Sequence, residues 1–155
     1  MAGQTWKIYW NEYSSDAFLY GSRILYHKKD DVEYRNHLLP IGTIINQWYS
    51  KTNYQMQRIE PSLPMIDGES EYQMIVNITC PEGEECLIRL VFYDRYDVEA
   101  GSLAIRGRET YFRCPLKTYY YKLQLINGGV THFHFHWIEI RELTDGTEKT
   151  FETTV

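Results

Sequence analysis

The chain has 155 residues and a formal net charge of -5; 43% of its residues are apolar and 15% aromatic, with 14 Tyr. Such a length supports one domain, spanning residues 1–155, that buries roughly 70% of its unfolded surface. The acidic balance lacks the basic footprint that displaces counterions from nucleic-acid phosphates. No run of about 18 apolar residues is present to cross a membrane as a helix.

Helical periodicity is nearly absent along the chain. Trp6, Ile8 and Trp10 alternate with Lys7 and Tyr9, the period of a half-buried strand. Asn11 to Asp16 reads as a loop. Leu19 to Tyr26 reads as a second strand, broken near Gly21, and Val32 to Asn36 as a third after the Asp30-Asp31 turn. Leu39-Pro40-Ile41-Gly42 is punctuation, and Thr43 to Trp48 is a fourth strand rich in β-formers. Ser50 to Pro64 reads mostly as loop, because Pro61 and Pro64 break any ladder. Leu63 to Gly68 is a turn. Strands follow over Tyr72 to Thr79, Leu87 to Asp94, Tyr119 to Ile126 and Phe133 to Ile140. Closely spaced strands without helices between them predict an all-β, jelly-roll-like antiparallel sandwich.

Alternation also assigns faces. Tyr72, Met74, Val76, Ile78, Ile88, Leu90, Phe92, Tyr119, Tyr121, Leu123 and Leu125 are expected to point to the core. Gln73, Asn77, Arg89, Tyr93, Tyr120, Lys122 and Gln124 then point away. The ordinary reading of a polar face is the solvated side of a sheet. A sugar, however, needs planar hydrogen-bonding groups and an aromatic platform. On that chemistry Arg89, Tyr120, Lys122 and Gln124 are the candidate carbohydrate-binding residues. Trp48, Tyr49, Tyr54 and Arg58, with Tyr93, Arg95 and Tyr96, combine the anchors favoured at interfaces and are the candidate partner surface. The alternative for Trp48 is a plug at the end of the core.

His132, His134 and His136 fall on one face of the last strand. Neighbours two apart stand about 6.6–7 Å from each other and the outer pair about 13 Å, whereas a zinc–nitrogen bond is about 2.0–2.1 Å. Two can share an ion and a third ligand must come from elsewhere, with His27, His37 or a cysteine as options. The ordinary reading is a half-polar face of hydrogen-bonded His, and neither metal nor cofactor is expected. No catalytic motif is present. A carboxylate pair drawn from Asp94, Asp97 and Glu99 is more simply an acidic loop. Three cysteines, Cys80, Cys86 and Cys114, make an odd count, and free thiols in a reducing compartment are expected. The N-terminus, Met1 to Lys7, lacks the pattern of a signal peptide. A cytoplasmic location is therefore expected.

Several segments together resemble a known family. They are Tyr9-Trp10, Phe18 to Ser22, Asn36 to Ile45, Trp48-Tyr49-Ser50, Asn53-Tyr54-Gln55, Arg58, Pro61 to Pro64, Phe92 to Tyr96, Tyr119 to Gly129 and Phe135 to Ile138. Their order and spacing resemble the third accessory secretory protein family of the accessory Sec system of Gram-positive bacteria. The cysteines and the full His132, His134, His136 run lie outside the resemblance. It implies a non-enzymatic β-sandwich similar to carbohydrate-binding modules. It also implies two larger partners, one glycosyltransferase-like and one acetyltransferase- or esterase-like. The implied cargo is a glycosylated serine-rich repeat adhesin, passed to the accessory Sec motor ATPase at the inner face of the membrane. Two rival readings are a free-standing carbohydrate-binding module and a small metal-dependent enzyme using His132, His134 and His136.

Overall fold

The computed structural model describes residues 4–10, 17–50, 63–64, 66, 68, 70–105, 107–143 and 152–153. Among the described residues the strands run β1 (Thr5–Ile8), β2 (Arg23–Lys28), β3 (Asp31–Arg35), β4 (Ile44–Tyr49), β5 (Glu71–Thr79), β6 (Cys86–Tyr93), β7 (Glu99–Ile105), β8 (Glu109–Arg113), β9 (Tyr120–Asn127), β10 (His132–Leu143) and β11 (Glu152–Thr153). They form two sheets. The larger runs β11-β8-β5-β10-β3-β2, with β1 also on β10; the smaller runs β4-β9-β6-β7. All pairings are antiparallel except β11 with β8. Among the described residues no helix is long and apolar enough to cross a membrane.

The all-β sandwich expected from the alternation is the fold observed. Strands β7 and β8 are not visible in the pattern. Gly101, Ser102 and Ala104 are small and weak β-formers, so β7 exists because Val91, Leu90 and the rest of β6 pair along it. Strand β8 is five residues long and is held by β5. One expected core position is corrected: Tyr119 is 55% exposed because it precedes the start of β9. Val76 and Ile78 are partly buried and pack against the core as expected.

The core lies between the sheets and is aromatic at one end. Trp10 meets Trp48 edge-on at 6.2 Å, and Trp48 stacks on Phe135 at 5.3 Å. Tyr34 stacks on Phe133 at 5.2 Å. Strands β3 and β10 of the larger sheet are thus welded to β4 of the smaller one by ring burial and offset stacking. On the smaller sheet Trp48, Leu123, Leu90 and Leu103 stand side by side in the pairing register and are all buried. One close approach demands glycine. A Cβ on Gly68 would stand 2.6 Å from the Leu116 Cα.

Strand β10 is the spine of the larger sheet. It pairs along most of its length with β5, while its first half pairs with β3 and its second half with β1. A bulge between Phe135 and Trp137 shifts the alternation. Phe133 and Phe135 point inward before it, and Ile138 and Ile140 after it. His132 and His134 are consequently outward, on the same face as Glu139 and Arg141.

Candidate functional site

The outer face of the smaller sheet gathers most of the residues singled out in the sequence. Three rows cross it. Gln47, Gln124, Arg89 and Ala104 form one; Tyr49, Lys122, Val91 and Ser102 the next; Tyr120, Tyr93 and Glu99 the third. Tyr93 and Tyr120 stack face to face, with centroids 4.9 Å apart and an interplanar angle of 12°. The Lys122 ammonium lies 5.4 Å from the Tyr93 ring centre, in cation–π range. Gln124 donates from Nε2 to Gln47 Oε1 at 3.0 Å.

The loop after β6 secures the end of this platform. Asp94 accepts the backbone N–H groups of Tyr96 at 2.8 Å and Val98 at 3.1 Å. That turn carries Asp97 at φ +62°, a left-handed conformation that Asp tolerates better than most residues. From there Asp97 Oδ1 accepts the Tyr120 hydroxyl at 2.9 Å. Partial burial first, and this carboxylate second, push the Tyr120 hydroxyl up to about 12. The hydroxyl is therefore a neutral donor at physiological pH. Asp94 and Asp97 are both committed to hydrogen bonds that shape the loop.

The structure redraws the two sets proposed from sequence. Trp48 is 2% exposed, with its indole N–H donating to the Tyr9 carbonyl at 3.2 Å. Its ring is part of the core and has no surface to offer a partner; this corrects the partner assignment. Tyr49 and Tyr93, read from sequence as partner residues, share the outer face of Lys122 and Tyr120. Gln124 is 5% exposed, and its Oε1 has no hydrogen-bond partner. Arg95 and Tyr96 lie round the corner, lining a pocket of about 440 Å³ with Leu116, Lys117 and Tyr119. Tyr54 and Arg58 lie outside the described residues.

A second polar cluster occupies the outer face of the larger sheet. His132 faces Arg35 and His134 faces Glu33 across the β10–β3 pairing. The Glu33 carboxylate sits between His27 Nε2 at 2.9 Å and His132 Nε2 at 2.8 Å, and accepts from Arg35 Nε at 2.6 Å. Hydrogen bonding from His27, then from Arg35, holds the Glu33 carboxyl down at about 2. His134 Nδ1 meets Asp31 Oδ1 at 2.7 Å, which lowers the Asp31 carboxyl. His136 donates from Nδ1 to the Asp30 carbonyl at 2.8 Å, and its Nε2 meets the Thr79 hydroxyl at 2.9 Å. Both nitrogens of His136 are thus in use, which separates it from the other two. Sequence reasoning missed Glu33 and Asp31 because only strand pairing puts them beside the His run. The Cys80 and Cys86 sulfurs stand 3.8 Å apart as thiols, and Cys114 is buried.

Comparison with known proteins is consistent over most of the chain. Residues 17–142 match the family model described as the accessory Sec secretory system ASP3. The accessory Sec system protein ASP3 of Streptococcus gordonii is 34% identical over 148 residues, 90% of this chain and 93% of that protein. The protein of the same name in Staphylococcus aureus is 23% identical, and its alignment covers 93% of this chain but 45% of the longer staphylococcal protein. Among solved structures, accessory secretory protein 1, 2 and 3 of Streptococcus pneumoniae includes a chain that superposes with a TM-score of 0.83 at 28% identity, over 89% of this chain and 96% of that one. The Gap123 complex of Streptococcus agalactiae gives 0.82 at 31% identity, over 96% of this chain and 48% of that one. A Clostridium thermocellum xylanase structure with a CBM22-1 module gives 0.52 at 11% identity, over 96% of this chain and 29% of that one, a likeness of fold alone. By sequence and by fold, this chain is a member of the ASP3 family of the accessory Sec secretory system.

Proposed function

We propose that this chain is a non-catalytic binding subunit of an accessory Sec complex. It assembles with two larger accessory secretory proteins, glycosyltransferase-like and acetyltransferase- or esterase-like. The complex works at the inner face of the membrane and helps pass glycosylated serine-rich repeat adhesins to the accessory Sec motor ATPase. The observation that carries this reading is the agreement of sequence with ASP3-family proteins and of fold with chains from two solved multi-protein assemblies. Co-expression with the two larger accessory secretory proteins should yield one co-eluting complex on size-exclusion chromatography. A chain that elutes alone under those conditions overturns the reading.

The proposed contact with glycan is the outer face of the smaller sheet. Tyr93 and Tyr120 supply an aromatic platform, and Arg89, Lys122, Tyr49 and Gln124 supply donors and acceptors around it. Such a face binds a sugar by stacking and hydrogen bonds, with weak single-site affinity multiplied by a repetitive cargo. Tyr96 and Arg95, at the edge, are the proposed partner contacts; Tyr96 is 78% exposed. Binding of a glycosylated Ser-rich peptide should weaken about tenfold in Tyr120→Ala, the upper end for loss of one aromatic contact. Undiminished binding removes this face from the proposal without touching the assembly.

A further inference from the structure

We propose that the outer face of the larger sheet holds a binding site for a divalent first-row transition ion of the zinc type. The ligands are Glu33, His132 and His134, whose ligand atoms all lie within 4.8 Å of one another. They come from two paired strands, β3 and β10. Imidazole nitrogen with one carboxylate is the donor set that zinc and its neighbours prefer.

Tetrahedral ligands at about 2.0–2.1 Å from zinc stand roughly 3.3 Å apart. His132 Nε2 already stands 2.8 Å from Glu33 Oε2. That pair opens by about half an ångström to admit an ion. The wider separations within the trio close by rotation of side chains that have room, the His132 and His134 side chains being 31% and 32% exposed. Glu33 is anchored, with a side chain only 8% exposed.

The second shell is also in place. Asp31 holds His134 through Nδ1 at 2.7 Å and leaves Nε2 as the nitrogen for the ion. A carboxylate behind a ligating His fixes its tautomer and raises its basicity. His136, with both nitrogens used, stays outside the ligand set. One group opposes an ion: the Arg35 guanidinium rests on Glu33 Oε2. Its side chain is 47% exposed and can swing into solvent. A bound ion would then clip β3 to the sheet's spine.

Titration of the purified full chain with zinc chloride alone, at about pH 7.5, tests the site by calorimetry and by thermal unfolding. One zinc per chain and a raised Tm are expected. Calcium and magnesium should do neither. His132→Asn/His134→Asn, with unchanged circular dichroism, should lose stoichiometric binding. Asp31→Asn should weaken it by roughly tenfold or more, and Arg35→Gln should bind at least as tightly as wild type. Absence of stoichiometric binding overturns the proposal. So does equal binding by the double His variant, which would mark adventitious zinc.

Discussion

The two outward faces of this sandwich are both polar, yet they are built on different rules. On the larger sheet charges answer one another. Glu33 is shared by His27, His132 and Arg35, Asp31 takes His134, Glu139 takes Arg141, and Glu71 takes Arg113. Gln73, Glu109 and Tyr111 form a further hydrogen-bonded set. On the smaller sheet Arg89 has no acidic partner among the described residues, and Lys122 is placed against a ring. The first face is internally satisfied, so a newcomer must replace an existing partner, as a metal ion can. The second face has an aromatic pair and cations not matched to carboxylates, the features behind the proposed glycan contact.

The largest expected effect would break both faces together. Trp48→Ala removes the ring that joins β4 to Trp10 and Phe135. It should cost about 3–5 kcal/mol in urea unfolding. Tyr96→Ala, at the exposed edge, should change stability by no more than about 0.5 kcal/mol. A small loss for Trp48→Ala would mean that the sheets do not depend on this aromatic joint.

The platform itself is the next target. A double-mutant cycle of Tyr93→Ala and Tyr120→Ala should return a coupling of about 0.5–1.5 kcal/mol. Additive losses would show that the two rings do not act as a unit in solution.

Protonation of Tyr120 offers a finer probe. Its raised hydroxyl favours the protonated form in the folded state. The folded state therefore holds its full advantage below the ordinary tyrosine value near 10 and loses it as pH rises toward 12. Asp97→Asn removes the second cause and leaves burial, the first. Followed by tyrosine-selective NMR, Tyr120 should titrate earlier in Asp97→Asn than in wild type, yet still later than an exposed tyrosine. An unchanged midpoint would mean that the Asp97 contact is not formed.

A comparably small effect belongs to the larger sheet's rim. Arg113→Ala breaks a half-exposed ion pair with Glu71. It should cost roughly 0–1 kcal/mol, shrinking further in high salt. A larger, salt-insensitive loss would show that this face is less like an ordinary solvated surface than its pairing suggests.

Much of this molecule is legible in the chain alone. Alternation of apolar residues marks most of its strands, because a strand's side chains change sides at every residue and burial selects one side. The same rule places Arg89, Tyr93, Tyr120 and Lys122 on one outward face. Local pattern does not reveal β7 and β8, whose small or few residues become strands only through their neighbours. Trp48 has the composition of an interface anchor; its place in the core depends on Trp10 and Phe135 arriving from other parts of the chain. The same holds for the grouping of Tyr49 with Lys122, of Asp97 with Tyr120, and of Glu33 and Asp31 with the His run. Those meetings join residues from 23 to more than 100 positions apart. Periodicity determines which side of a strand a residue occupies. Sheet order and register decide which residues meet, since those depend on packing the whole chain at once.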